Sequence, residues 1–189
     1  DFKASLATYA AANLLSIPTN EAGSIYLYKN QGDGTFVNVS NTANLTTPVF
    51  AMAANFGDID NDGFLDMYFA TGNPNFESLI PNKMFRDVNG ERFEDITNPA
   101  RVGHIQKGHG VSFADLDNDG DLDLYVINYP ITNFKTPVAY YAAAKNSGAT
   151  ETSSHFYKNN GDTTFTDVTK ESGLLSFGLS IGVSVSDLN

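Results

Sequence analysis

The sequence predicts an all-β fold made of repeated four-stranded antiparallel units, and three observations predict it. The first is composition: 14 Phe, 9 Tyr and 16 Gly, against only 17% charged residues in 189, combine strand-forming aromatics with turn formers. The second is a hairpin phrase that occurs three times: Leu27-Tyr-Lys-Asn-Gln-Gly-Asp-Gly-Thr-Phe36, Met84-Phe-Arg-Asp-Val-Asn-Gly-Glu-Arg-Phe93 and Phe156-Tyr-Lys-Asn-Asn-Gly-Asp-Thr-Thr-Phe165. The third is an acidic phrase that follows each hairpin at the same distance of 22 residues, from Phe36 to Asp58, Phe93 to Asp115 and Phe165 to Asp187.

Each hairpin phrase has two β-rich runs around an Asn/Gly/Asp turn, and the second run continues as VNVS, EDIT or TDVT. The acidic phrases, NFGDIDNDGFLDMYFA and SFADLDNDGDLDLYVI, carry a loop between two further strand patterns; a third, SVSDLN, stops after its opening. The unit therefore reads strand, acidic loop, strand, connection, strand, tight turn, strand, which is one blade of a β-propeller. Complete blades are expected at about 48–97 and 108–169, with half a blade before them near 24–40 and the first strand of another near Ser180. The propeller fragment thus covers residues 24–189, after an N-terminal segment of residues 1–23 with helical character over Leu6–Leu15. Both ends fall inside blades, so the expectation is that further propeller sequence or a partner chain completes the fold.

The distance between acidic loops grows from 57 to 72 residues, and the gain lies between Asp123 and Tyr157. That places an insertion at 129–154, with a short helix expected over Thr136–Lys145 because Pro137 stands near its start and good helix formers follow. In the last hairpin Thr163 takes the place that Gly34 holds in the first, so its turn is expected to be looser.

The formal net charge of −11 disfavours nucleic acid and anionic lipid as partners. Absence of cysteine excludes disulfides, thiolate zinc sites and cysteine catalysis. No apolar run reaches the roughly 18 residues of a membrane span. Nine of the 22 carboxylates lie in two stretches, Asp58–Asp66 and Asp115–Asp123. This clustering points to metal rather than to a solvated acidic face.

Asp58, Asp60, Asp62 and Asp66 occupy loop positions 1, 3, 5 and 9, and Asp115, Asp117, Asp119 and Asp123 repeat them. Gly63 and Gly120 permit a sharp turn at position 6, and Phe64 and Asp121 then offer a backbone oxygen at position 7. All-oxygen sites of this kind suit Ca²⁺, and suit Mg²⁺ less because it prefers fewer protein ligands and a strict octahedron. Two complete calcium sites are expected, with a truncated third beginning at Asp187 and Asn189. An EF-hand is excluded, since its bidentate Glu at position 12 would fall at Phe69 and Val126. Without a cation the clustered carboxylates would repel one another.

The acidic phrase and the hairpin together resemble FG-GAP/VCBS repeats. The phrases TGNPNFESLIPNKMFRD, VGHIQKGHGVSFADLDNDGDLDLYV and FGLSIGVSVSDLN are most similar to the ASPIC/UnbV subgroup related to cartilage acidic protein. The resemblance implies a calcium-stabilised propeller exported from the cell and used in adhesion, or in matrix, protein or glycan binding. It also implies an extracellular or cell-surface location, the bacterial outer-membrane surface included. A few propellers of this kind are sugar-acting lyases or isomerases. That is the alternative reading to a non-enzymatic module.

In a four-stranded blade, the acidic loops and the tight turns share one face. The insertion and the Gly103–Gly110 connection share the other. His104, Lys107, His109, Tyr129, Tyr140 and Tyr141 gather there as candidate ligand contacts, since tyrosines with a base suit carbohydrate or peptide. No Ser-His-Asp arrangement, phosphate loop or HExxH motif is present. Asn38-Val-Ser40 and Asn44-Leu-Thr46 are glycosylation sequons that matter only in a eukaryotic secretory pathway.

Overall fold

The computed structural model describes residues 23–72, 81–105, 107–129, 154–176 and 182–186, with only the backbone of Lys107 and Tyr129. Leu6–Leu15, Thr136–Lys145 with Tyr140 and Tyr141, and the third acidic phrase with Asp187 and Asn189 lie outside the described residues. The chain divides into two compact units, residues 1–50 and 51–189.

In the first unit, β1 (Tyr28–Asn30) and β2 (Phe36–Asn38) form one antiparallel hairpin. In the second unit, eight strands form two four-stranded antiparallel sheets. The first is the meander β3 (Ala51–Gly57), β4 (Asp66–Thr71), β5 (Lys83–Val88) and β6 (Arg92–Asp95). The second repeats it with β7 (Lys107–Ala114), β8 (Asp123–Tyr129), β9 (His155–Asn159) and β10 (Phe165–Asp167). These are two propeller-type blades. One helical turn, α1 (Thr97–Ala100), links them. The sequence reading did not anticipate it.

The same side-chain hydrogen bonds recur in all three hairpins, which explains the repeated phrases. At the turn, Asn30, Asp87 and Asn159 accept through Oδ1 from the amides of Gly32 (2.8 Å), Gly90 (2.7 Å) and Gly161 (3.0 Å). At the end of the second strand, Asn38, Asp95 and Asp167 accept from the amides of Ser40, Thr97 and Thr169 at 3.0 Å each. The hydroxyls of those residues in turn accept from Leu27 (2.8 Å), Met84 (3.0 Å) and Phe156 (2.8 Å). The Asx-turn and the hydroxyl thus satisfy backbone donors where the ladder stops.

Thr163 shows what its substitution for glycine entails. Its φ is 66°, where Gly34 has 89°, so a β-branched residue is held in the left-handed region. The turn is retained and Thr164 still donates to Asp162 at 3.0 Å, so the cost appears as strain. Thr163→Gly is expected to raise stability by about 1 kcal/mol, the relief of strain less the added chain entropy. An unchanged urea midpoint would show that the turn is unstrained.

The two sheets share one hydrophobic cluster. Tyr68, Ala70 and Met84 of the first meet Val111, Leu124, Val126, Tyr157 and Phe165 of the second, with Ile59 from the first acidic loop. The Tyr68 hydroxyl donates to the Val102 carbonyl at 3.0 Å, so the connection between blades is tied to the core. β4 is buried along its whole length, as expected of an interior strand covered on both faces.

Candidate metal centres

Each acidic loop joins the first and second strands of its blade, so both loops lie at the same strand ends. Their backbone path explains two of the repeated residue types. Asn61 (φ 57°) and Gly63 (φ 90°) in the first loop, and Asn118 (φ 61°) and Gly120 (φ 93°) in the second, are left-handed. Asn and Gly are the residues that tolerate this region most readily. The sequence reading gave a role to the glycines and overlooked the two asparagines.

Asp58 and Asp115 organise the loops from position 1. Asp58 accepts from the amides of Asp62 (3.0 Å) and Gly63 (2.9 Å), and Asp115 from those of Asp119 (3.1 Å) and Gly120 (3.0 Å). Asp62 and Asp119 accept from the amides at position 7, Phe64 (2.9 Å) and Asp121 (3.0 Å). The Asp121 carboxylate accepts from the Asn61 side chain at 2.8 Å, linking the loops of adjacent blades.

The position-9 carboxylates act as brackets. Asp66, fully buried, accepts from Ile59 (2.9 Å) in the loop and from Asp87 (2.8 Å) on the third strand. Asp123 repeats this with Leu116 (3.0 Å) and Asn159 (2.9 Å). Burial is the main cause that pushes the Asp66 carboxyl up to about 6, against the lowering effect of its two amide donors; Asp60 and Asp62 add to the rise. Asp123 is raised for the same reason.

Two trios could hold a metal ion. Ligand atoms of Asp58, Asp60 and Asp62 lie within 4.8 Å of one another, as do those of Asp115, Asp117 and Asp123. Asp66 is not in the first trio and Asp119 is not in the second. The first trio also leaves Asp60 Oδ1 buried with no hydrogen-bond partner among the described residues. A buried, unpaired carboxylate oxygen among hard donors is a good fit to an oxygen-seeking cation.

Two basic residues were missed. Arg86 lies against Asp60 (Nε to Oδ2, 2.5 Å) and Asp62 (3.3 Å), and Lys158 pairs with Asp117 and Asp119, the latter at 3.1 Å. Both stand at the third residue of the hairpin phrase, so the alignment of repeats already held the signal. Asn159 was also missed. Its side-chain Nδ2 donates to the carbonyls of Ile59 (2.8 Å) and Leu122 (3.1 Å), spanning the two blades.

The other face is organised around histidine. His104, half-buried after α1, lies against His155 with ring centroids 4.0 Å apart and the planes tilted by 45°. His155 Nδ1 lies 2.7 Å from Asp167 Oδ2. Burial opposes ionisation of Asp167, but the bonds from His155 and Thr169 outweigh it and bring the carboxyl down to about 2. A cavity of about 330 Å³ opens beside them, lined by Arg101, His104, Tyr157 and Asp167 among others. Lys107 and Tyr129 face each other in the β7–β8 ladder, and His109 falls at the irregularity between Gly108 and Gly110. The registers put this cavity at the strand ends opposite the carboxylate trios. No helix among the described residues is long and apolar enough to cross a membrane.

The mouse (Mus musculus) and human (Homo sapiens) proteins named cartilage acidic protein 1 are each 28% identical over 113 residues, covering 58% of this chain and 16% of the relative. The chain therefore spans about one-sixth of these relatives. A family model of FG-GAP-like repeats matches residues 12–69 and 71–126, more than half of the chain. Matched repeats, four-stranded blades and repeated acidic loops agree, and the chain belongs to the FG-GAP-like repeat family.

Proposed function

We propose that the chain is an extracellular calcium-binding propeller module whose blades are stabilised by the ion and which presents a surface to a protein or glycan partner. The observation that carries this reading is the pair of carboxylate trios, with ligand atoms within 4.8 Å in each. Their all-oxygen chemistry suits calcium, and sites of this kind in extracellular modules fill at the calcium levels found outside cells. The relatives' name, which refers to cartilage, supports an extracellular setting. Asp58, Asp60 and Asp62, with the Phe64 carbonyl and Asp66, would hold one ion. Asp115, Asp117, Asp119 and Asp123, with the Asp121 carbonyl, would hold the other. When bound, the ion supplies charge neutralisation and a fixed loop geometry. The partner surface is proposed on the opposite face, around the 129–154 insertion.

The experiment is thermal unfolding with calcium and with chelator. An ion at one hundred times its Kd stabilises by about 2.7 kcal/mol per site, so chelation is expected to lower Tm by several degrees. Asp60→Ala or Asp117→Ala is expected to remove about half of that response. A Tm indifferent to chelator would end the structural-calcium reading. The second reading, a sugar-acting lyase or isomerase, draws on the cavity beside His104, His155 and Asp167. Oligosaccharide turnover lost in His155→Ala would establish it in place of the binding module.

A further inference from the structure

Resting on the reading of the loops as calcium sites, we infer that Arg86 and Lys158 are internal counter-ions that occupy those sites in the calcium-free chain and that calcium must displace. Two blades carry the argument independently. Arg86 bridges positions 3 and 5 of the first loop, Asp60 at 2.5 Å and Asp62 at 3.3 Å. Lys158 bridges positions 3 and 5 of the second loop, Asp117 and, at 3.1 Å, Asp119. The chemical groups differ, a planar guanidinium and a point-charge ammonium, but the site occupied is the same.

The placement is built in by the strand register. The residue after each base, Asp87 or Asn159, donates its amide to the position-9 carboxylate. That bond fixes the third strand against the loop, and the preceding side chain then reaches positions 3 and 5. A carboxylate cluster folded without metal needs positive charge, and the hairpin supplies it from the same blade.

A divalent ion placed among these oxygens would lie a few ångströms from the resident cation. At such distances like charges repel strongly even with substantial screening. The base must swing out before or as the ion enters, so it lowers the affinity of its own loop. The same base keeps the loop ordered when calcium is scarce. One residue thus sets both the calcium threshold and the stability of the empty blade. Lys29 holds the same position in β1, with no acidic loop among the described residues of its unit, and serves as the control.

The test is calorimetric calcium titration of the full chain, with thermal melts in chelator, for wild type, Arg86→Met, Arg86→Lys, Lys158→Met and Lys29→Met. Arg86→Met is expected to tighten one site at least tenfold and to lower the Tm in chelator. Lys158→Met should do the same at the other site. Arg86→Lys should stay near wild type, and Lys29→Met should change neither quantity. Unchanged or weaker calcium binding in both Met variants would overturn the inference and leave the base as an orienting partner of the carboxylates. Failure of the calcium reading looks different, since no variant would then bind the ion. Binding that appears only in the Met variants would support the counter-ion role in its strongest form.

Discussion

Asp66→Ala should destabilise the calcium-free chain by about 3 kcal/mol, far more than removal of its exposed neighbour Asp62. Asp66 is fully buried and holds the Ile59 amide at 2.9 Å and the Asp87 amide at 2.8 Å. Truncation leaves the buried Ile59 N–H and the part-buried Asp87 N–H without an acceptor, at about 1–3 kcal/mol for the buried group and less for the other, offset in part because no carboxylate then has to be buried. Asp62 lies at the exposed end of the loop and its pair with Arg86 is part-screened, so Asp62→Ala is expected to cost under about 1 kcal/mol. Urea unfolding in chelator reads both. A loss below 1 kcal/mol for Asp66→Ala would mean that water replaces the carboxylate.

The same residue gives a pH signature. Its folded carboxyl titrates at about 6, above the ordinary 3.8, chiefly because it is buried. The folded state therefore binds this proton more tightly than the unfolded chain does. Its contribution to stability is fully present below about pH 4 and is lost as pH rises through about 6. Asp167, brought down to about 2, acts in the opposite sense and in a lower window, losing its contribution as pH falls through that value. Asp66→Asn should flatten the calcium-free profile between pH 4 and 6 and leave the acid limb intact. A profile unchanged by Asp66→Asn would assign the titration elsewhere.

Gly108→Val is expected to cost about 3 kcal/mol, at the upper end of ordinary overpacking. A β-carbon at Gly108 would sit 2.6 Å from the β-carbon of Ala70 and 3.0 Å from its α-carbon. Ala70 is already small and fully buried, so a strand has to move rather than a side chain. The glycine at 120 is required for the opposite reason, since it has open space around it and a φ of 93°. Gly182→Val, also in open space, is the control and should stay within about 0.5 kcal/mol. Ala70→Gly combined with Gly108→Ala should recover much of the loss caused by Gly108→Ala alone, since the two positions share one contact. Additive losses would show that the sheets approach each other differently.

Spacing and residue type carried much of the reading. The equal distances of 22 residues determine where each loop falls relative to its hairpin. The Asp-x-Asp-x-Asp-Gly pattern makes the loops acidic and sharply turned. The Asn, Asp, Thr and Ser of the hairpins encode the terminal hydrogen bonds, because those bonds run between residues a few positions apart or within one short hairpin. These are local or periodic properties, and a repeat displays them several times. What only the tertiary structure decided depends on pairs far apart in the chain. Asn159 reaching Ile59, Asn61 reaching Asp121, Gly108 meeting Ala70 and His155 lying against His104 all join one blade to the next. The same holds within a blade, where Arg86 and Lys158 reach loops more than 20 positions away. The recurrence of a base at the third hairpin position marks those two residues in the repeat, but which acid each base meets follows from strand pairing, which the repeat alone does not show.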